Sequence, residues 1–257
     1  MIGARNVGVA ELTRAWDKRA DSSIYFDGEP SATGTHGIPR VFVPRFKKVF
    51  YEEFFGALPD VGTSGGAKWN LQDTSAAGAP AASMVDRVNG VAKFVLASTG
   101  EAETFGINFA DKLQLHPAKG LVVEMGVGID TVFTSVMRLV AGVSSAHNDT
   151  LDSAVTNAWF RLEGTGANWL AESDDGTTDN DDKGTGVAIL ITNIYHLRLE
   201  FVSTSDVRFW LDGTRVASGT TFKTGANAVQ PELIIQKDSG TGIPAMLVDY
   251  VAAWQFI

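Results

Sequence analysis

The sequence contains no cysteine and only four histidines among its 257 residues. The lack of cysteine excludes disulfide frameworks, thiolate metal sites and cysteine nucleophiles. No run approaches the roughly 18 apolar residues that a membrane-spanning helix needs, and the first residues lack the apolar stretch of a secretory signal. We therefore expect a protein that is made in the cytoplasm and has no membrane partner.

Positive charge is scarce and unevenly placed along the chain. The formal net charge is −9, whereas a nucleic-acid-binding protein needs a basic field for phosphates, so no nucleic-acid partner is expected. Residues 1–48 hold 8 Lys and Arg against 5 Asp and Glu, and residues 49–257 hold 13 against 25. The sequence predicts a mildly basic N-terminal arm, residues 1–48, ahead of an acidic domain, residues 49–257.

The predicted arm has little to bury. Its one helix-compatible stretch, residues 9–19, is followed by a Gly-, Pro- and Thr-rich segment, residues 28–39. Such a segment either packs on its own domain or reaches a partner molecule, and both alternatives stay open. The side chains that we expect to contact a partner are Arg5, Arg14, Trp16, Arg19, Arg40 and Arg45.

After residue 48 the apolar residues alternate with polar ones. Period two indicates antiparallel strands with one solvated face, and it is clear in three sets: Leu197, Leu199 and Phe201; Val207, Phe209 and Leu211; and Met246, Val248, Tyr250, Ala252, Trp254 and Phe256. Each set is expected to share one face. Asp212-Gly213 and Asn89-Gly90 lie between such segments and predict tight hairpin turns.

The order of these segments resembles the concanavalin A-like jelly roll of lectins and glucanases, in the form found in tailed-phage virion proteins. The resemblance covers residues 49–257 and is carried by Phe54-Phe55-Gly56 ahead of Trp69, then residues 86–98, 101–129, 159–164, 195–216 and 248–256. It implies an all-β, two-sheet antiparallel sandwich preceded by an irregular arm.

The resemblance implies that a glucanase of this fold carries the motif Glu-x-Asp-x-Glu on one strand. The acidic side chains of this motif flank the scissile bond. The sequence has one Glu-x-Asp, Glu172-Ser173-Asp174, and Gly176 and Thr177 stand where the second glutamate would follow. Three other acids, Glu124, Glu163 and Glu200, are isolated and are expected on solvated strand faces. No Gly-x-Ser-x-Gly motif is present. We therefore expect a protein that is not an enzyme.

The densest acidic run, residues 174–182, is a candidate calcium loop with Asp179, Asp181 and Asp182 as ligands. Calcium prefers six to eight oxygen ligands. The run departs from a calcium loop at Lys183 and at Leu190, where a bidentate glutamate would stand. A solvated loop without metal is the alternative, and no other cofactor is expected.

Trp210 alternates with the apolar residues of its predicted strand and so points away from them. An exposed tryptophan there serves a subunit contact or stacks on a sugar ring, and a second layer of structure would instead make it part of the core. Three other tryptophans, Trp69, Trp159 and Trp254, are expected to fill the core.

Together these features predict a structural protein of a tailed-phage virion, assembled in the host cytoplasm. Its role would be capsid decoration, cement or a fibre head, its partners neighbouring virion subunits, and its own state a trimer or dimer. A lectin-like glycan-binding module for host attachment is the first alternative, and a glycoside hydrolase is the second. Because a fold hosts many functions, the resemblance decides the fold more firmly than the role.

Overall fold

The computed structural model describes residues 46–54, 69–87, 90–131 and 133–256. The chain divides into two units, residues 1–45 and residues 46–257. The candidate partner residues Arg5, Arg14, Trp16, Arg19, Arg40 and Arg45 lie outside the described residues, as does the helix-compatible stretch. The arm and its boundary at residue 48 therefore stay predictions.

The described residues are almost entirely strand and turn, as the period-two pattern predicts. Two short 3₁₀ helices, Pro117–Lys119 and Leu151–Ser153, interrupt fifteen strands. The strands are β1 (Phe46–Glu53), β2 (Asn70–Asp73), β3 (Ala81–Val85), β4 (Val91–Val95), β5 (Glu103–Asn108), β6 (Val122–Ile129), β7 (Met137–Ser144), β8 (Asn157–Glu163), β9 (Asn168–Asp174), β10 (Asp179–Ala188), β11 (Ile194–Ser203), β12 (Asp206–Leu211), β13 (Thr214–Val216), β14 (Gln230–Lys237) and β15 (Ala245–Phe256).

The strands form two sheets in which the described neighbours pair antiparallel. The eight-stranded sheet has the order β13-β12-β11-β6-β15-β4-β3, and β1 also pairs with β15. The seven-stranded sheet has the order β10-β9-β8-β7-β14-β5-β2. This arrangement is the two-sheet sandwich that the sequence predicts. In the described residues, no helix has both the length and the apolar character to cross a membrane.

The core lies between the sheets and is built from the alternating residues. Leu197, Leu199 and Phe201 of β11 are buried there, as are Val207, Phe209 and Leu211 of β12. Phe209 meets Phe160 of the other sheet edge to face, with ring centroids 5.2 Å apart. Burial of apolar area on this scale is the main stabilising contribution in such a sandwich.

The hairpin prediction at Asp212-Gly213 is confirmed. These two residues join β12 to β13 with φ of 48° and 76°. A two-residue type I′ hairpin turn requires positive φ at both of its central residues. Gly90, with φ of 72°, lies in the connection between the paired strands β3 and β4, whereas Asn89 is outside the described residues.

The prediction of one continuous face along the last strand is wrong. Met246 and Val248 face the core, but the register of β15 shifts between Val248 and Tyr250, and beyond that point Val251 and Ala253 face the core. A β-bulge inserts one residue and exchanges the two faces of a strand. Trp254, expected in the core, is therefore partly exposed on the outer side.

Candidate functional site

The outer face of the seven-stranded sheet carries a large set of buried polar side chains. In β7 the residues Leu139, Ala141 and Val143 face the core, so that Arg138 and Ser144 face outward. Residues that pair with each other on neighbouring strands point to the same side of the sheet, so the partners of these outward residues on β8, β9, β14 and β5 face outward too. Buried polar residues of the outer face are Thr104, Asn108, Ser144, Asn157, Arg161, Glu172, Gln230 and Glu232.

One loop lies over much of this face, and residues 109–111 cover Gln230 and Asn108 at its end. We name residues 145–156, which join β7 to β8, the covering loop. Leu151 and Ala154 of this loop pack on outward-facing residues of the sheet to form a second hydrophobic cluster with Val140, Trp159 and Ile234. Trp159 is thus buried as expected, but under the covering loop and outside the main core.

A pocket of about 220 Å³ opens between the covering loop and the sheet. Its lining residues are Arg138, Asp149, Thr150, Leu151, Asp152, Gln236 and Asp238. Strands β7 and β14 hold Arg138 and Gln236 in its floor, while the covering loop supplies the wall. The walls are therefore mostly hydrogen-bonding groups, with carboxylates more numerous than guanidinium groups.

Arg138 is fixed in the pocket by two carboxylates. Its Nη1 lies 2.6 Å from Asp238 Oδ1, and its Nε lies 3.1 Å from Glu163 Oε1. Gln236 is fixed as well, because its Nε2 donates to Thr104 Oγ1 over 3.0 Å. Both floor groups are thus held in defined positions, which lowers the conformational cost of binding a ligand.

A second guanidinium, that of Arg161, lies next to the pocket and is itself buried. Its Nη1 is 2.8 Å from Glu172 Oε2 and also contacts Asp152, and its Nη2 is 3.2 Å from Glu163 Oε1. Burial raises the pKa of Glu172 to about 7, although the charge and the hydrogen bond of Arg161 act to lower it. A carboxyl group with such a pKa exchanges a proton near neutral pH.

The structure changes the interpretation of two sequence features. Glu163 was expected to be isolated, yet Arg138 and Arg161 bring it together with Glu172 and Asp238. Glu172 and Asp174 do share the outer face of β9, as the spacing predicts, but the Glu172 side chain is only 2% exposed. Glu163, Glu172 and Asp238 therefore form one network through the two guanidinium groups, with Glu172 beneath the covering loop.

His147 and Glu232 were not singled out as a site by the sequence. Glu232 of β14 is 1% exposed, and its carboxylate accepts hydrogen bonds from Ser144 and His147. His147 Nε2 also lies 3.0 Å from Asp149 Oδ1 in the pocket wall. Burial alone would lower the pKa of His147, but the hydrogen bond and charge of Glu232, with a smaller effect of Asp149, raise it.

The candidate calcium ligands Asp179, Asp181 and Asp182 lie on a strand, not in the expected loop. They begin β10, which pairs with β9. Burial and a hydrogen bond shared with Asp181 raise the pKa of Asp179 to about 6. Within the described ranges no group of three or more His, Cys, Asp or Glu residues is placed to hold a metal ion. Calcium binding here stays a prediction from the sequence.

Trp210 lies on the outer face of the eight-stranded sheet, opposite Arg198 and Arg215 in the register. It is partly buried, and its Nε1 donates to Glu200 Oε2 over 3.1 Å. It does not belong to the hydrophobic core, which removes the core alternative. Its role in a partner contact stays a prediction.

Comparison with known proteins identifies the fold class. No family model and no curated protein sequence matches the chain. Among solved structures, an endo-1,3-β-glucanase from Streptomyces sioyaensis is similar over 82% of this chain and 96% of its own, with a TM-score of 0.53 and 16% identity. The catalytic domain of a laminarinase from Thermotoga petrophila is similar over 83% and 99%, with a TM-score of 0.53 and 10% identity.

A carbohydrate esterase from the Shiga toxin-encoding bacteriophage phi24B is also similar, over 83% of this chain and 100% of its own, with a TM-score of 0.51 and 12% identity. At such identities the likeness shows the fold alone. The fold is an all-β, two-sheet antiparallel jelly roll of the concanavalin A-like, glucanase type, and the class predicted from the sequence is confirmed.

The prediction that the chain is not an enzyme is corrected by these structures. It depended on the missing Glu-x-Asp-x-Glu motif, yet structures of the same fold are named as endo-1,3-β-glucanases, a laminarinase and a carbohydrate esterase. A motif from one group of glucanases does not define the catalytic possibilities of the whole fold. The absence of that motif therefore does not exclude catalysis.

Proposed function

We propose that this domain binds a carbohydrate in the pocket between the covering loop and the seven-stranded sheet. The observation that carries the proposal is the chemistry of the pocket wall. Arg138 and Thr150 supply donors, and the aspartates of the wall supply acceptors. Gln236 adds its amide oxygen as an acceptor, because its Nε2 already donates to Thr104 and to the Asp149 backbone oxygen. Hydroxyl groups of sugars both donate and accept, so a wall of this kind suits them.

The aspartates of the wall are accessible to a ligand. The side chains of Asp149, Asp152 and Asp238 are 62%, 59% and 51% exposed. Because these carboxylates outnumber the guanidinium of Arg138, a sugar that bears its own carboxylate or sulfate would be repelled. The expected ligand is accordingly a neutral sugar or an amino sugar.

The size of the pocket limits the ligand further. Its volume of about 220 Å³ is below the roughly 300–1,000 Å³ of pockets that enclose whole drug-sized ligands. It would therefore enclose one sugar residue, with the rest of a longer glycan on the open surface. The glucanase names of similar folds make a β-1,3-linked glucan the first ligand to test.

Calorimetric titration of the full chain with laminarihexaose, a linear β-1,3-glucan oligosaccharide, tests the proposal. Asp238→Ala removes an acceptor and releases Arg138, and we expect about tenfold weaker binding, typical for loss of a charged hydrogen-bond partner. The matched control is Asp206→Ala, which breaks a similar Asp–Arg pair on the other sheet. Equal effects of both variants, or no binding in a panel of neutral glucans and amino sugars, would refute the proposal.

Hydrolysis is a second candidate, and the pKa of about 7 at Glu172 favours it. A carboxyl group that is protonated near neutral pH can act as the general acid that a glycosidase needs. Glu172 lies under the covering loop, so a reaction would require this loop to move. Release of reducing sugar from laminarin should disappear in Glu172→Gln and persist in Glu124→Gln, whose side chain lies on the eight-stranded sheet.

A place in a tailed-phage particle stays a prediction that the sequence alone makes, and it is compatible with carbohydrate binding. A virion module that attaches to a host surface glycan would do both. The bacteriophage source of one similar structure supports testing it. Capsid or tail genes next to the gene of this protein would support the prediction, and a neighbourhood of metabolic genes would argue against it.

A further inference from the structure

His147 faces a carboxylate with each of its two ring nitrogens. Nδ1 contacts Glu232 Oε1 on the sheet, and Nε2 lies 3.0 Å from Asp149 Oδ1 in the covering loop. A neutral imidazole has one donor nitrogen and one acceptor nitrogen. In either neutral tautomer, one nitrogen lone pair would therefore point at a carboxylate oxygen, and only the doubly protonated ring can donate both hydrogen bonds.

The surroundings of His147 favour the same charged form. The charged groups that face it are Glu232 from β14, Asp149 from the covering loop and Asp111 from the segment after β5, whose Oδ1 accepts the His147 backbone N–H over 2.8 Å. All of these are carboxylates. Glu232 is 1% exposed, and a buried carboxylate is costly unless it is paired.

The contact with Asp149 connects His147 to the pocket. Asp149 and the next three residues, 150–152, form the loop side of the pocket wall. Asp149 Oδ1 also accepts a hydrogen bond from Gln72 Nε2 of β2 over 3.2 Å. His147 therefore joins the buried floor of the sheet to the pocket wall through its two ring nitrogens, as Arg161 does through Glu172 and Asp152.

We propose that protonated His147 is a positioning residue that clamps the covering loop, so that the pocket is formed while His147 carries its proton and loosens when the proton is lost. The effect on a ligand rests on the proposed carbohydrate site, whereas the clamp itself does not. Because the pKa of His147 is raised in the folded protein, its contribution is complete below the ordinary value of 6.5 and is lost as the pH rises through the folded value.

The clamp is tested without any ligand by nitrogen-15 NMR of the histidine rings in the full chain and by hydrogen exchange. We expect the His147 ring to be doubly protonated at about pH 6.5, where a free histidine is half protonated. Protection factors of the amides of residues 147–154 should fall about tenfold or more as His147 deprotonates. A neutral His147 ring at that pH, or protection that does not change with pH, would overturn the proposal.

Variants separate a clamp from a merely structural role. Glu232→Gln removes the strongest charge facing His147. The midpoints of the NMR titration of the His147 ring and of the pH-dependent hydrogen exchange should therefore move to lower pH, while the loop still closes at acidic pH. His196→Gln is the matched control, since His196 lies on the opposite sheet and contacts Tyr250, and it should leave the midpoint unchanged. An unchanged midpoint in Glu232→Gln would also overturn the proposal.

Binding of laminarihexaose, measured across the same pH range, separates the two proposals. If the sugar binds, its affinity should fall about fivefold or more as His147 deprotonates, with the midpoint seen by NMR. An affinity that stays constant through that midpoint would overturn the link to the pocket. If the sugar does not bind while the loop responds to pH, the carbohydrate assignment fails and the clamp stands.

Discussion

The outer faces of the two sheets start from the same sequence pattern and reach different chemistry. On the eight-stranded sheet, the pairs Arg208–Asp206 and Arg198–Glu124 keep side-chain exposures of 13–39%. On the seven-stranded sheet, Arg161 and Glu172 are 4% and 2% exposed. The difference is the covering loop, under which Arg161 and Glu172 are buried and the pKa of Glu172 is raised. Charged residues on alternate strand positions thus do not by themselves indicate a solvated face.

Breaking the buried network should have the largest effect. Arg161→Ala leaves Glu172 and Glu163 without their shared cation, and we expect the free energy of unfolding to fall by about 3–5 kcal/mol. Chemical denaturation measures it. Arg208→Ala on the opposite face is the control and should cause no measurable change, because its pair is exposed. Similar losses in both variants would show that the two faces do not differ as described.

Removing the apolar anchor of the covering loop should have the next largest effect. Leu151 is 2% exposed and packs in the second cluster, so Leu151→Ala should cost about 2–3 kcal/mol by denaturation. Hydrogen exchange should increase in the covering loop before it does in the eight-stranded sheet. Val202→Ala, at a side chain that is 50% exposed, is the control, and a loss as large there would contradict the prediction.

The pH dependence of stability should differ between the faces because of Glu172. Its pKa, about 7 in the folded protein, lies above the ordinary value of 4.5. The folded protein therefore binds the proton more tightly than the unfolded chain does, and this contribution is lost as the pH rises from about 4.5 to 7. Relative to Glu172→Gln, the native protein should lose on the order of 2 kcal/mol across this range. Urea denaturation at several pH values measures the free energy of unfolding of both proteins. The same pH dependence in the native protein and in Glu172→Gln would exclude the effect.

The smallest effect should come from a change on the outer face of the eight-stranded sheet. Glu200→Ala removes the acceptor of the Trp210 Nε1 hydrogen bond, and we expect a loss of about 0.5–1 kcal/mol. Tryptophan fluorescence should shift while the pKa of His147 on the other sheet stays the same. A larger loss would show that the outer face of the eight-stranded sheet is as cooperative as the covered one.

Local features of the sequence predicted the fold well. Apolar residues at every second position placed Leu197, Leu199 and Phe209 in the core, and Asp212-Gly213 placed a hairpin turn where positive φ values are needed. These predictions hold because strand periodicity and turn chemistry depend on neighbouring residues. The change of face within β15 escaped them, because nothing near Asp249 distinguishes a bulge from a regular strand.

The candidate site shows the opposite case. Glu163, Glu172, Glu232 and His147 lie on three different strands and the covering loop, and no motif joins them. They come together through the pairing of β7, β8, β9 and β14 and through a loop that returns over the sheet.

By itself, the sequence determined the strand pattern, the acidic charge of the domain and the absence of thiol chemistry. Only the tertiary structure decided which charges are buried, since burial depends on what packs against a face and not on the residues along it. Glu163, which the sequence assigned to a solvated face, instead shares Arg161 with the buried Glu172, whose pKa is raised.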